Sequence, residues 1–288
     1  MFESIAKIIE HEKKDNIPFW KCIQNDDCKE NNMSKEESFT KMLNMYKVMK
    51  EADKNYNDKL YSQSGLVGTD GKKLKDARER GDLICGNFIG KVMERAVKMA
   101  ESNACMKRIV ASPTAGSCGV IPAVFITAQE TLGYSDEEMT KAMYVAAGIG
   151  EVIASRAFLA GAAGGCQAEI GSASSMAAGA LCYLRGGDGV MIANAAALAM
   201  KSLLGLACDP VAGLVEVPCV KRNVIGAVNA MTASDMAYAG IESKIPPDEV
   251  FDAMRTIGKS LPEDIKETGK GGLAATLTGI AIKKKISF

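Results

Sequence analysis

Ser34-Lys-Glu-Glu-Ser-Phe-Thr-Lys-Met-Leu-Asn-Met-Tyr-Lys-Val-Met49 decides the fold class. Ser34 and Glu37 stand at the spacing of a capping box, in which a hydroxyl and a carboxylate each satisfy a backbone amide left free in the first helical turn. Phe39, Met42, Leu43, Tyr46 and Met49 then recur every three or four residues, and the spacing predicts one amphipathic helix over roughly 34–57. The same signals continue outward. Ile84, Phe88, Val92, Met93, Ala96 and Met99 trace a second apolar face, Ser135 and Glu138 form a second capping box, and Pro246-Pro247-Asp-Glu opens a helix with proline at its first position. Between them, Ser62-Gln-Ser-Gly-Leu-Val-Gly-Thr-Asp-Gly-Lys-Lys73 reads as a glycine loop and Arg185-Gly-Gly-Asp-Gly189 as a turn. Period-two alternation of β-branched residues is scarce, so the expected fold is mainly α, with few or no strands.

From about residue 108 the chain becomes rich in Ala, Gly, Ser and Met and poor in charge, as closely packed helices require. No repeat or linker interrupts it. The expected organisation is an N-terminal helical segment, 1–60, joined to a catalytic domain with ligand-bearing loops, 61–288, as one continuous unit. Lys plus Arg and Asp plus Glu number 35 each among 288 residues, so no global field favours nucleic acid or an anionic membrane. The start, Met-Phe-Glu-Ser, turns charged within three residues, unlike a secretory signal. The longest uncharged run, Ile109–Gln129, contains Pro113, Gly116, Gly119 and Pro122, which suits a buried loop better than a membrane span. These features predict a cytoplasmic protein with no membrane helix and no nucleic-acid partner.

Nine cysteines without a secretory signal argue for reduced thiols or metal ligands rather than disulfides. Only one histidine, His11, is present, so histidine chemistry is nearly absent from this chain. Cys166 lies in Ala162-Ala-Gly-Gly-Cys-Gln-Ala-Glu-Ile-Gly171, where flanking glycines let the backbone approach a bulky inorganic group. Cys208 and Cys219 bracket Cys-Asp-Pro-Val-Ala-Gly-Leu-Val-Glu-Val-Pro-Cys, with proline beside each thiol, the mark of a fixed loop. Read singly, each cysteine is equally at home as a small buried hydrophobe. Together, the three differ from Cys22, Cys28, Cys85, Cys105 and Cys182 in lying in Gly/Pro-rich irregular segments. A structural zinc site would want four ligands, usually in Cys-x-x-Cys pairs or with histidines, and neither is present. Three thiolates suit a 4Fe-4S cluster with one iron left open for Lewis-acid chemistry.

Ser112-Pro-Thr-Ala-Gly-Ser-Cys-Gly-Val-Ile-Pro-Ala123, Gly165-Cys-Gln-Ala-Glu-Ile-Gly171, the Cys208–Cys219 segment and Gly271-Gly-Leu-Ala-Ala-Thr276 together resemble the alpha chain of bacterial iron-sulfur L-serine dehydratases, from about Ser64 to the C-terminus. The resemblance places the family's cluster ligands on Cys166, Cys208 and Cys219. It implies iron-assisted elimination of water from L-serine, giving pyruvate and ammonia, in amino-acid degradation and gluconeogenesis. It also implies a partner beta chain that supplies histidines near the cluster, and no pyridoxal phosphate. Cys118 falls where the family tolerates a small residue and is expected to be a packed side chain. Single-chain relatives can place a C-terminal cysteine in the active site, whereas this chain ends Lys283-Lys-Lys-Ile-Ser-Phe288.

Two loops offer donors for a substrate carboxylate: Ser64 and Gly65 in the glycine loop, and Thr114, Gly116 and Ser117 ahead of the helix that begins near Val120. The same residues serve equally as turn and capping groups. No base is evident, because His11 reads as a solvated helix residue; Lys270 is the local alternative, with a surface role the plainer reading. Gly68-Thr-Asp-Gly-Lys-Lys lacks the spacing and the following Ser or Thr of a P-loop. The rival functions are another β-elimination, such as cysteine desulfhydration, or a non-enzymatic electron carrier or sensor whose fourth iron would need Cys118 or Cys182.

Overall fold

A computed structural model describes residues 2–286. Among these there are thirteen α-helices and no strand. They are α1 (Ile5–Asp15), α2 (Phe19–Glu30), α3 (Lys35–Lys54), α4 (Asp70–Glu79), α5 (Gly86–Ala104), α6 (Val120–Leu132) and α7 (Asp136–Arg156), followed by α8 (Gly161–Gly164), α9 (Ser172–Leu184), α10 (Gly189–Lys201), α11 (Cys219–Tyr238), α12 (Pro247–Ser260) and α13 (Leu277–Ile286). The mainly α expectation holds. Both capping boxes form, at Ser34/Glu37 and Ser135/Glu138, and Pro247 opens α12.

Three local expectations shift. The first amphipathic helix stops at Lys54 rather than 57, closed by Asn55. The glycine loop is shorter than 62–73, because α4 already begins at Asp70. The buried Glu101 carboxylate accepts the amides of Asp70 (2.9 Å) and Gly71 (3.2 Å), so an acidic group stabilises that helix start from another helix. Ile84 is not part of the α5 face; it lies before the helix, fully exposed.

Helix α9 is the axis of the molecule. Every residue from Ser172 to Cys182 is buried, and α6, α7, α10 and α11 pack around it. A helix apolar on all sides belongs in such a position. Its small residues let the neighbours approach closely: a Cβ on Gly179 would lie 2.3 Å from Ile149 Cδ1, and one on Gly150 of α7 would lie 2.8 Å from Met176 Cε. Two of its buried hydroxyls are satisfied across helices. Ser174 donates to Gly226 O and Ser175 to Ala196 O, both at 2.8 Å, and Asn229 donates to Ser174 Oγ and Ala199 O at 2.9 Å.

The N-terminal helices join this core. Ile5, Ile8, Phe19, Tyr46 and Met49 belong to the same buried apolar cluster as α6, α7 and α9. Buried polar pairs reinforce the joint: Tyr46 donates to Gln129 (2.8 Å), and Arg95 of α5 pairs with Asp53 of α3 and Glu130 of α6. Among the described residues no helix is long and apolar enough to cross a membrane. Four irregular segments, around 112–119, 161–171, 207–219 and 263–276, lie between these helices and carry the motifs of interest.

Candidate metal centre and active site

The segment around Cys166 is shaped by its glycines. Gly165 adopts φ +77°, and a Cβ there would meet Leu261 Cδ1 at 2.6 Å and Leu206 O at 2.9 Å, so glycine is required twice over. Cys166 then leads a single π-turn, Gln167–Gly171, that runs into α9. Such turns gather at functional sites because the extra residue re-aims side chains without ending the helix. Gln167, fully buried, fixes the turn: its side-chain nitrogen donates to Gly164 O (2.9 Å) and Met254 O (3.2 Å), and its oxygen accepts from Gly205 N (2.8 Å).

Cys208 is held by an edge from the far end of the chain. Its amide donates to Ile265 O (2.8 Å) and its carbonyl accepts from Glu267 N (2.7 Å), a single parallel bridge. Its neighbour Asp209 accepts from Arg222 (2.9 Å) and from Leu273 N (2.8 Å), joining the cysteine loop to α11 and to the Gly271–Thr276 motif. Cys219 is the first residue of α11, after a cis Val217-Pro218 bond. The positive end of the helix works toward the thiolate there, against the burial described next.

The three sulfurs converge in a buried place. Cys166 and Cys208 are 3% exposed and Cys219 8%. Burial pushes the Cys166 thiol up to about 11, opposed by the positive charge of Arg222 nearby. Burial pushes Cys219 to about 12, with Cys166 and Glu169 adding to the rise. Cys208 is raised further still, by burial first and then by Cys166, Glu169, Cys219 and Glu267. Three thiolates so placed require more positive charge than the single Arg222 gives. A metal centre held by the three sulfurs would supply it.

The donor set fits a polynuclear centre. Among the described residues, Asp26, Glu30 and Glu151 form a group with all ligand atoms within 4.8 Å of one another; the cysteine triad does not meet that spacing. Ligands of one ion held at sulfur distances of about 2.3 Å would be that close. A cluster instead spreads its cysteines over separate irons. Packing is tight beside it. A Cβ at Gly161 would lie 2.9 Å from Cys208 Sγ, 2.9 Å from Glu169 Oε2 and 3.3 Å from Glu267 Oε2, so only glycine fits this cradle of one sulfur and two carboxylates.

Of the other residues singled out in the sequence, Thr114 and Gly116 join this cradle. Thr114 Oγ1 donates to Glu169 Oε1 (2.7 Å), and a Cβ on Gly116 would meet that same oxygen at 2.9 Å. Ser117, fully buried, lies against Thr114 with hydroxyl oxygens 3.1 Å apart. Ser64 and Gly65 are engaged elsewhere: Ser64 donates to the buried Glu216 carboxylate (2.5 Å), and Gly65 N donates to Ser62 O (2.9 Å). That contact ties the glycine loop to the Cys208–Cys219 loop. Cys118 packs with its sulfur 3.7 Å from Met99 O, and Cys182 is buried within α9; neither meets the triad. His11 lies half-exposed on α1, with Asp15 and Phe2 as neighbours, and Lys270 is exposed.

Glu169, Gly161, Arg222, Asn223 and Glu267 were not singled out from the sequence. One signal was available for Glu169: it is the only charged residue between Arg156 and Arg185. Asn223 has none, because its role is purely spatial. Fully buried on α11, it donates to Gly116 O (2.9 Å) and Cys219 O (3.0 Å) and accepts from Gly119 N (2.8 Å), locking the 112–119 motif to the third sulfur. Asn223→Ala strands a buried amide and a carbonyl and is expected to lower stability by about 3 kcal/mol, read as a lower urea midpoint at unchanged slope.

The family model described as "Serine dehydratase alpha chain" matches residues 14–274. The chain is 45% identical over 286 residues to "Probable L-serine dehydratase, alpha chain" of Bacillus subtilis, covering 99% of this chain and 95% of that one. It is 38% identical over 285 residues to "L-serine dehydratase, alpha chain" of Peptoniphilus asaccharolyticus, covering 99% and 98%. "L-serine dehydratase" of Helicobacter pylori is 43% identical over 182 residues, which make up 62% of this chain and 40% of that longer one. With a family match and relatives that run nearly end to end, the chain belongs to the serine dehydratase alpha-chain family.

Proposed function

We propose that this chain is the iron-sulfur subunit of an L-serine dehydratase, which with a beta chain converts L-serine to pyruvate and ammonia. The observation that carries the reading is the convergence of Cys166, Cys208 and Cys219 beside the Gly161 cradle, in a chain whose full-length relatives bear that name. Cys166, Cys208 and Cys219 would hold a 4Fe-4S cluster. When bound, it supplies Lewis acidity at the iron without a cysteine, toward the substrate's leaving hydroxyl.

The protein's own groups supply the rest. Arg222, anchored on Asp209 and Ala207 O, places its positive charge beside Cys166 and moderates negative charge at the centre. The 112–119 motif forms one side of the cradle through Thr114 and Gly116, and the buried Asn223 holds it in place. No histidine of this chain stands near the triad, which supports a base supplied by the beta chain. On this reading residues 1–60 and 61–288 act as one cytoplasmic unit, and its half of the active site is incomplete alone.

Co-expression with a beta chain and anaerobic purification test this. The complex is expected to contain about four irons and four sulfides per alpha chain and to form pyruvate from L-serine in preference to L-threonine or L-cysteine. Air should abolish activity, and ferrous iron with thiol should restore it. Equal activity in air without iron would sink the proposal.

A further inference from the structure

Arg222 stands three residues after Cys219, on the first turn of α11. Its side chain is 17% exposed, and its two terminal nitrogens reach both flanks of Cys208: Nη1 donates to Ala207 O (2.7 Å) and Nη2 to Asp209 Oδ1 (2.9 Å). Asp209 is 7% exposed and also accepts the Leu273 amide at 2.8 Å, so the guanidinium cannot swing out to solvent without opening that joint. Its charge is felt at two of the three sulfurs. Burial raises the Cys166 and Cys219 thiols, and Arg222 opposes the rise at both. Burial works against the Arg222 cation too, but Cys166 and Asp209 outweigh it and the group stays charged. At Cys208, where burial and the other sulfurs already disfavour negative charge, Glu169 and Glu267 add more of it.

We propose that Arg222 protects the bound cluster from air: its cation raises the potential at which the 4Fe-4S core gives up an electron, and so slows loss of the iron that no cysteine holds. The inference rests on the cluster reading above and adds to it the residue that sets the rate of inactivation. In that inactivation one electron passes from the core to dioxygen, which becomes superoxide. The core rises from the 2+ to the 3+ state, then releases its cysteine-free iron as ferrous ion and remains as a 3Fe-4S core of charge 1+. Oxidation removes negative charge from the centre, a change that a nearby cation disfavours and nearby carboxylates favour. A guanidinium suits the position because it stays charged when buried and its planar fork holds two acceptors at once. With Ala207 O and Asp209 as those acceptors, the charge is fixed beside the sulfurs.

The test uses the anaerobically reconstituted complex with the beta chain, carrying Arg222→Met, Arg222→Lys or Asp209→Asn. In air-equilibrated buffer, released iron is followed with a ferrous chelator and the 3Fe-4S core by electron paramagnetic resonance; film voltammetry gives the midpoint of the one-electron oxidation. Arg222→Met is expected to lose iron roughly tenfold faster and to show a midpoint lower by about 59 mV, the one-electron equivalent of that factor. Arg222→Lys keeps the charge and is expected to stay within about twofold of the parent. Asp209→Asn removes the opposing charge from the same ion pair, so its midpoint is expected to rise and its iron loss to slow. A mechanical clasp would make both ends of the pair behave alike, so faster iron loss in Arg222→Met and Asp209→Asn at an unchanged midpoint overturns the assignment. Should Arg222→Met bind no cluster, the direction of the two changes in Asp209→Asn decides. An unsubstituted complex without iron and sulfide would count against the cluster reading instead, so the two failures are distinct.

Discussion

Cys208→Ser is expected to remove iron and activity together from a chain that still folds. Serine nearly matches cysteine in size, and both backbone bonds of residue 208, to Ile265 and Glu267, survive the change. Its hydroxyl is a poor replacement for a soft thiolate on iron. Changes in groups that only support metal ligands commonly cost 10–100-fold, so loss of a ligand should lower kcat/KM by at least about 10³-fold. Far-ultraviolet circular dichroism should be unchanged, while iron, sulfide and visible absorbance fall. Cys118→Ala and Cys182→Ala serve as contrasts and should keep their iron. Loss of cluster in either would favour an electron carrier or sensor with a fourth cysteine ligand.

Gly161→Ala should have an effect of similar size for a steric reason. The added methyl is fixed by the backbone and would stand 2.9 Å from Cys208 Sγ and Glu169 Oε2, well inside contact distance. Neither neighbour can withdraw easily, because Cys208 is pinned by its bridge and Glu169 by Thr114. The expected result is a loss of at least about 100-fold in activity, with reduced iron content and a Tm within a few degrees of the parent. A large drop in Tm with full iron content would show that Gly161 serves packing instead.

The helical class was legible because capping boxes and apolar spacing are local signals, and Ser34/Glu37 and Ser135/Glu138 form as read. The boundaries slipped where a distant group decided them. Glu101 starts α4 at Asp70, and no pattern within 62–73 reveals a carboxylate thirty residues further on. The cysteine triad could be separated from five other thiols by its glycine and proline setting, and from Cys118 by the family resemblance, whereas the cradle could not be seen. Gly161, Glu169 and Glu267 meet only because two segments a hundred residues apart, 161–171 and 263–276, are folded onto one another. Ser64 illustrates the reverse case: a hydroxyl in a glycine loop looks free for a ligand until Glu216 is found against it.

The bridge between Cys208 and residues 265–267 also orders events in time. The chain is made from its N-terminus, so Cys166, Cys208 and Cys219 all emerge before the segment that aligns the second of them. A nascent chain truncated before residue 263 has neither the edge that holds the Cys208 backbone nor the Leu273 amide that steadies Asp209. For the proposed cluster, maturation therefore belongs after synthesis: an iron donor meets a finished polypeptide, and a prematurely terminated one offers it sulfur without a template.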